Sequence, residues 1–518
     1  MSLARMLDAA VAREPEAIAI VEGGMRLTYR EWADEIARLA SGLERLGLSE
    51  GDYCVAVLSN RYETASLFWA CQKLGAVFTP FNWRATAADI AFVLEDVEAK
   101  VVVYEKRSAT AVEGALEKFA IDAVISLDGG QGAPYRETIC GSPYTGLPPT
   151  DERAICLMLY TSGTTGRPKG VPRSCAAERL ASIGCIAQLH YGYSEVTLGV
   201  MPLFHTMGIR ALAMSVYLNG TFICMPSFDA AEALQLIARE DITALFLVPT
   251  MFHDMVYHSN FASFDPAPVR NLAYAGMSMN TALVEACASG FKPEWFSNFY
   301  GSSEIYTFTV CNDVRAKPGC AGRPGLGQQI RIVRGDPDER VEPEALVEPG
   351  ATGEIIARMD SLDAFAGYWK RPDADEKAIR KGWYFTGDLG RFDEDGELYV
   401  LGRIDDMLIS GGENIYPEEV EDLLAKCPLV RDVAVIGVPD ERWGQKVIAF
   451  IEPENESATA ATINLYCLGS DLARFKRPRG YAFVKSIPRS ASGKLLRREL
   501  RLGGYELLNG YEHTIEET

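Results

Sequence analysis

The sequence predicts an α/β fold: a large N-terminal α/β domain with a β subdomain, followed by a small mobile α+β domain. Short apolar runs alternate with amphipathic stretches through the N-terminal half, which is typical of parallel strands joined by helices. After Gly402-Arg-Ile-Asp-Asp406 the pattern changes to a short helix and two strands rich in Val and Ile. We therefore expect domains at residues 1–402 and 407–518, joined by a hinge at residues 403–406.

The N-terminal segment contains the clearest β-α-β signal. Thr28 and Glu31 form a capping box, and the apolar residues that follow recur at helical spacing: Trp32, Ile36, Leu39, Leu43 and Leu46. We expect a strand at Tyr53–Leu58, a helix through Ala65–Leu74 and a second strand at Ala76–Thr79.

The middle of the chain repeats this alternation. An amphipathic helix is predicted at Ala230–Glu240, and buried strands at Ile242–Val248 and Leu272–Gly276. Ligands of open α/β sheets lie at the carboxyl ends of the strands, so residues 276–279 and 300–304 are placed to meet a ligand. From Gly319 onward, Gly, Pro and acidic residues separate short strands, which predicts the small β subdomain.

Composition excludes several classes of partner. The net charge of −20 argues against binding to nucleic acid or to anionic membranes. No signal peptide and no apolar run of about 20 residues are present, so we expect a soluble cytoplasmic protein without a membrane span. Twelve cysteines without a C-x-x-C pair indicate reduced thiols, and the five histidines show no metal-ligand spacing. The oligomeric state stays open, with a homodimer as one option.

One loop carries a signal for phosphate binding. Tyr160-Thr-Ser-Gly-Thr-Thr-Gly-Arg-Pro-Lys-Gly170 follows an apolar strand, Ala154–Leu159. Its glycines allow positive φ, and its hydroxyls and Lys169 supply donors for anionic groups. The loop differs from a Walker A loop, because Lys169 lies between Pro168 and Gly170. The alternative is a flexible surface loop.

Four further motifs occur in the order and spacing of one family. They are Asn298-Phe-Tyr-Gly-Ser-Ser-Glu304, Tyr384-Phe-Thr-Gly-Asp388, Gly402–Asp406 and Pro488-Arg-Ser-Ala-Ser-Gly-Lys494. Together with the loop, they resemble the adenylate-forming superfamily of acyl-CoA synthetases, luciferases and peptide-synthetase adenylation domains. The chain is most similar to the benzoate and 4-chlorobenzoate type of CoA ligases, through Leu234–Ile237, Asp405–Asn414, Arg442–Gln445 and Phe475–Pro478.

The resemblance implies ligation of a carboxylic acid to coenzyme A, driven by ATP with Mg²⁺, through an acyl adenylate. Lys494 would bridge the substrate carboxylate and the α-phosphate, and Glu304 would bind Mg²⁺; His205 and Thr161 complete the expected catalytic set. Asp388 would accept from the ribose hydroxyls beside Arg403. The expected ATP site comprises Thr161, Ser162, Gly163, Thr164, Thr165, Gly166, Lys169, Gly276, Ser278, Tyr300, Gly301, Ser302, Asp388 and Arg403.

For the second half-reaction, the resemblance implies that residues of the small domain bind CoA. CoA would contact Gly411, Trp443, Phe475, Lys476 and Arg477, although Trp443 could instead fill the core. Because Lys494 serves the first step and these residues serve the second, the small domain is expected to rotate, with Asp405 as the pivot.

The acyl pocket is expected around His205, with walls from Thr206, Met207, Phe252, Phe299 and Tyr306. Amino-acid-activating relatives carry Asp at the position of Thr206, which argues against an amino acid substrate. Walls without Lys, Arg or Asp predict a compact uncharged acid, aromatic or alicyclic. The alternatives are a medium-chain fatty acid, a stand-alone adenylation enzyme and a nucleotide-binding protein without catalysis.

Overall fold

The computed structural model describes residues 3–161, 168–266, 268–336, 340–410, 413–470, 472–490, 493 and 495–514. Its strands are β1 (Ile18–Glu22), β2 (Met25–Thr28), β3 (Tyr53–Val57), β4 (Val77–Pro80), β5 (Val101–Tyr104), β6 (Ala123–Ser126), β7 (Ala133–Pro134), β8 (Ile155–Thr161), β9 (Lys169–Ser174), β10 (Val196–Gly199), β11 (Thr221–Cys224), β12 (Ala244–Leu247), β13 (Asn271–Ala275), β14 (Trp295–Tyr300), β15 (Thr309–Cys311), β16 (Arg323–Pro324), β17 (Ile330–Val333), β18 (Gly353–Arg358), β19 (Ile379–Arg380), β20 (Trp383–Phe392), β21 (Leu398–Arg403), β22 (Leu408–Ser410), β23 (Glu413–Ile415), β24 (Val430–Asp440), β25 (Gly444–Pro453), β26 (Gly480–Val484) and β27 (Leu507–Thr514).

The helices connect these strands and cover the sheets. They are α1 (Ala4–Arg13), α2 (Tyr29–Arg45), α3 (Tyr62–Leu74), α4 (Ala87–Asp96), α5 (Ala109–Leu116), α6 (Tyr135–Thr138), α7 (Cys175–Gln188), α8 (Thr206–Tyr217), α9 (Ala230–Arg239), α10 (Pro249–Val256), α11 (Thr281–Phe291), α12 (Pro372–Ala378), α13 (Pro417–Leu424), α14 (Ala460–Leu468) and α15 (Arg497–Arg501).

Four sheets organise the chain. A nine-stranded sheet has the order β16-β15-β14-β13-β12-β10-β11-β1-β2, and a seven-stranded sheet has the order β7-β6-β5-β3-β4-β8-β9. A five-stranded sheet (β17-β18-β20-β19, with β21 beside β20) forms the expected β subdomain. The strands after Met407 form a sheet of their own, β23-β22-β25-β26-β27 with β24 beside β25. The predicted α/β class is thereby confirmed.

Local sequence signals account for the first β-α-β unit. The Thr28 hydroxyl accepts from the Glu31 backbone N–H, and the Glu31 carboxylate accepts from the Thr28 N–H at 2.9 Å, which closes the capping box. Helix α2 then buries Trp32 and Ile36 with the rest of its apolar face. Strands β3 and β4 pair in parallel on either side of α3, as the alternation predicts.

The segment between the sheets of the large and small domains is short. Residues 403–406 comprise the end of β21 and a 3₁₀ turn, Ile404–Asp406. Asp405 is exposed there, and the hinge stays a prediction. Among the residues described, no helix combines the length and the apolar content that crossing a bilayer requires.

Candidate active site

The predicted phosphate loop connects two paired strands. Thr161 ends β8 and pairs with Lys169 at the start of β9. The intervening residues 162–167 lie outside the described part of the chain, and so do Gly411 and Lys494. The predictions for those residues (Ser162, Gly163, Thr164, Thr165, Gly166, Gly411 and Lys494) therefore stay predictions.

Lys169, at the start of β9, and Glu304 both contact Tyr368. The Lys169 Nζ is 4.5 Å from the ring centroid of Tyr368, and the Tyr368 hydroxyl donates to Glu304 Oε1 at 2.7 Å. Glu304 is only 6% exposed. Burial lowers the pKa of Lys169, while the negative charge of Glu304 opposes that shift. Tyr368 was not predicted, because it lies far along the chain from both partners.

A second polar group surrounds Asp388. Its Oδ2 accepts from the Tyr300 hydroxyl at 2.6 Å, and its Oδ1 accepts from Arg403 Nη1 at 2.7 Å. The carboxylate raises the pKa of Arg403, and burial raises that of Tyr300. The Arg403 side chain as a whole is 44% exposed. Three residues of the predicted ATP site are thus joined by direct hydrogen bonds, with Asp388 as the common acceptor.

The turns after β13 and β14 bring further predicted residues to the same edge. Gly276 follows β13 with φ of +87°, and Ser278 is exposed two residues later. After β14, a Cβ on Gly301 would lie 1.7 Å from the carbonyl oxygen of Tyr306, so this close approach requires glycine. The Ser302 hydroxyl accepts from the Glu304 backbone N–H at 3.2 Å and holds the turn. All of these residues line one cavity.

The acyl-side residues line the same cavity, with one exception. His205 caps α8, where its Nδ1 accepts from the Met207 N–H at 3.4 Å. The rings of Phe299 and Tyr306 lie 5.0 Å apart in the wall. Thr206 and Met207 complete this group of lining residues.

The exception is Phe252, for which the expectation is wrong. Its ring is fully buried and packs against Phe291 and Phe296, with centroids 6.3 and 6.5 Å away. Successive residues of a helix point in different directions. From α10 and the residue after it, the cavity is lined instead by Pro249, Thr250, His253, Asp254 and Tyr257. The cavity lining therefore includes a carboxylate that the sequence analysis did not anticipate.

A buried ion cluster lies behind the aromatic wall. Glu178 accepts from Arg173 Nε at 2.8 Å and from Arg210 Nη2. The Arg210 guanidinium is 4.7 Å from the ring centroid of Tyr306, and Arg173 Nη1 donates to the Glu304 carbonyl at 2.9 Å. We name Arg173, Glu178 and Arg210 the buried triad. It connects β9, α7 and α8 to the turn that carries Glu304 and Tyr306.

Of the predicted CoA-contacting residues that the structure describes, Phe475 is exposed, and Trp443, Lys476 and Arg477 are half-buried. Trp443, in the turn between β24 and β25, has the guanidinium groups of Arg479 and Arg442 at 4.0 and 4.7 Å from its ring. Phe475 is 38% exposed. The Lys476 Nζ donates to both oxygens of Glu419 at 2.7 Å. Lys476 lines the cavity, whereas Trp443, Phe475 and Arg477 do not.

Comparison with known proteins agrees with this geometry. The family model described as AMP-binding enzyme matches residues 7–369, and the model described as AMP-binding enzyme C-terminal domain matches residues 419–494. A long-chain-fatty-acid–CoA ligase of Mycobacterium tuberculosis is 32% identical over 485 residues, covering 92% of this chain and 93% of the relative. A 4-chlorobenzoate–CoA ligase of Arthrobacter is 31% identical, covering 94% of this chain and 92% of the relative.

A solved structure gives the same result for the fold. The anthranilate CoA ligase in complex with anthranoyl-AMP superposes with a TM-score of 0.89 at 25% identity, covering 97% of each chain. Sequence motifs, cavity geometry and relatives along nearly the whole length agree. The chain belongs to the family of AMP-binding enzymes.

Proposed function

We propose that the chain is an ATP-dependent carboxylic acid–CoA ligase that forms an acyl adenylate and then transfers the acyl group to CoA. One observation carries the proposal: a single cavity is lined by the Asp388–Tyr300–Arg403 group, by Lys169 with Glu304, and by an apolar wall. Such a cavity offers a nucleoside site, a phosphate site and an acyl site side by side.

In the first half-reaction, a carboxylate oxygen attacks the α-phosphorus of ATP, and the bond to pyrophosphate breaks. Lys169 supplies positive charge beside the leaving phosphates, and Lys494 would supply it at the α-phosphate. Because a donor aimed at developing charge in a site that excludes water stabilises the transition state most, the burial of Lys169 favours this role. Asp388 and Tyr300 would hold the ribose so that the phosphates lie beside these two lysines.

Glu304 fits a Mg²⁺ site that is completed by phosphate oxygens. Its carboxylate is buried and retains acceptor capacity beyond the bond from Tyr368. One carboxylate with phosphates is a usual ligand set for Mg²⁺. Bound there, Mg²⁺ would neutralise phosphate charge.

In the second half-reaction, the CoA thiolate attacks the acyl carbon and AMP leaves. The arginines beside Trp443 and the surface ring of Phe475 offer charge and stacking area for the CoA nucleotide. These groups lie in the small domain, which supports a rotation of that domain between the two steps.

The acyl wall favours a compact aromatic or alicyclic acid. Met207, Phe299 and Tyr306 are each at most 3% exposed, so the wall is closed by packed side chains. Behind Tyr306 lies the buried triad, and a long alkyl chain would have to displace it. Separating the buried arginines from Glu178 would leave charges without partners in an apolar site, at a cost of several kcal/mol. A medium-chain fatty acid is the second candidate, supported by the long-chain-fatty-acid–CoA ligase among the relatives.

The test is a panel of acids assayed separately for pyrophosphate release and thioester formation. We expect benzoate and cyclohexanecarboxylate to give both products, dependent on ATP, Mg²⁺ and CoA. Preferred turnover of octanoate would favour the second candidate. Pyrophosphate release without CoA consumption would indicate a stand-alone adenylation enzyme. Nucleotide binding without pyrophosphate release would indicate a nucleotide-binding protein without catalysis.

A further inference from the structure

Arg489 makes an ion pair that has no role in either half-reaction as proposed above. Its Nε donates to Asp432 Oδ2 at 3.1 Å, and its Nη2 donates to Oδ1 and Oδ2 of Asp432 at 2.8 and 2.9 Å. The two side chains are 23% and 30% exposed. A two-nitrogen contact with a carboxylate fixes the orientation of a guanidinium, which a single contact does not. The plane of Arg489 is therefore set by Asp432 of β24.

The third nitrogen of the same guanidinium reaches the turn that precedes Lys494 in sequence. Arg489 Nη1 donates to the Gly493 carbonyl at 3.1 Å. Two backbone bonds join described residues of this segment: Gly493 N–H donates to Ser490 O, and Leu496 N–H donates to Pro488 O, both at 2.9 Å. We call residues 488–490, 493, 495 and 496 the hairpin. Gly493 has φ of +78°. The side chain of Arg489 thus spans the hairpin from one arm to its tip.

The hairpin faces the carboxyl ends of two strands of the large domain. Arg489 Nη1 is 3.8 Å from Met277 Sδ, just after β13. A Cβ on Gly493 would lie 2.9 Å from Thr250 Oγ1 and 3.4 Å from Val248 Cγ2, just after β12. The tip of the hairpin therefore rests at the edge of the sheet where the cavity opens.

We propose that Asp432 and Arg489 form a clasp that holds this hairpin in the shape needed to present Lys494 for adenylate formation. The clasp rests on the proposed function and adds two positioning residues to it. Neither residue needs to contact a substrate, because the guanidinium acts through the Gly493 carbonyl. A displacement of about 1 Å in a reacting group can lower a rate about 10²-fold. Loss of the clasp should therefore slow the first half-reaction and leave the second intact.

The experiment compares Arg489→Met and Asp432→Asn in the full-length enzyme. We expect carboxylate-dependent pyrophosphate release to fall about 10- to 10²-fold in kcat, with KM for ATP and for the acid nearly unchanged. Thioester formation from supplied benzoyl-AMP and CoA should stay near wild type. Lys485→Met, which removes another ion pair of the small domain, is the matched control and should leave both steps unchanged.

A conservative variant and a readout without catalysis separate the clasp from other roles. Arg489→Lys keeps the charge but cannot bond Asp432 and Gly493 with one rigid fork, so it should restore little of the lost rate. Amide hydrogen exchange in residues 489–496 should accelerate in all three variants and not in Lys485→Met. Equal loss of both steps, a raised KM for ATP with unchanged kcat, or unchanged exchange would overturn the clasp. A wild-type enzyme that forms no thioester with any acid of the panel would instead overturn the proposed function, while the exchange result still decides the clasp.

Discussion

The nucleotide side of the cavity and the surface of the small domain hold their side chains in different ways. Asp388 accepts hydrogen bonds from both Tyr300 and Arg403, and the carboxylate of Glu304 accepts one from Tyr368. In the small domain, Phe475 is instead exposed, and the half-buried ring of Trp443 has only the guanidinium groups of Arg442 and Arg479 beside it among the ring contacts described. Within the described residues, the proposed nucleotide site is held by direct hydrogen bonds, whereas the proposed CoA site would be completed only when the small domain moves.

The largest expected effect concerns the residue that would join the two regions. Lys494→Ala should lower adenylate formation about 10²- to 10³-fold, because it removes one donor aimed at the charge that develops on the α-phosphate. Thioester formation from a supplied acyl adenylate should be spared. Rates of the two steps, measured separately, check this, with Lys485→Ala as control. An equal loss of rate in both steps would mean that the role of Lys494 is not confined to the first step.

The hinge provides the converse test. Asp405→Pro fixes φ near −65° and removes a backbone donor, so it should hold one orientation of the small domain. We expect adenylation to persist and thioester formation to fall by at least about tenfold, since only the second step requires rotation. Asp405→Ala removes the same carboxylate but leaves φ free, and should retain both steps. If both variants behave alike, Asp405 is not the pivot.

A smaller effect is expected at the half-buried ring of Trp443. Trp443→Ala should raise KM for CoA roughly 5- to 150-fold, because stacking on a base contributes about 1–3 kcal/mol. Pyrophosphate release in the first step should not change. Trp443→Phe keeps a stacking face and should recover most of the affinity. A fall in thermal stability without a change in KM for CoA would mean that Trp443 has a structural role and does not bind CoA.

The smallest effect is a pH dependence beside the hinge. Burial raises the pKa of Glu418 to about 8, with Arg497 opposing and Glu421 and Asp406 adding to the shift. The folded state keeps this proton up to about pH 8, whereas the unfolded state releases it near the ordinary glutamate pKa. Stability should therefore fall as pH rises from about 4.5 to 8 and then level off.

Glu418→Gln should flatten that decline. The measurement is the difference in unfolding midpoint between pH 5 and pH 8, compared with the exposed Glu456→Gln. The contact behind this expectation is close: a Cβ on Gly402 would lie 2.1 Å from Glu418 Oε2. An equal pH dependence in both variants would mean that Glu418 does not titrate in this window.

Sequence reasoning succeeded where the signal was local and missed contacts between distant residues. The capping box of Thr28 and Glu31 spans three positions, so its pattern alone predicts its bonds. Tyr368 reaches Glu304 across 64 positions, and periodicity carries no information about such a contact. Phe252 was misplaced because an aromatic on a helix can face the core or the cavity, and only the neighbouring elements decide which.

The buried triad has a consequence for how the substrate range of such an enzyme can change. Glu178 compensates both arginines, so its loss would leave two buried cations without a carboxylate, at a cost of about 3–5 kcal/mol. Loss of Arg210 would leave the buried Oε2 of Glu178 without its donor, which also costs stability. Single substitutions that deepen the pocket through Arg210 would therefore be removed by their effect on folding before any gain in activity was realised. Adaptation to longer acids must pass through coordinated replacement of Arg173, Glu178 and Arg210, or must start from wall residues such as Met207 that carry no charge.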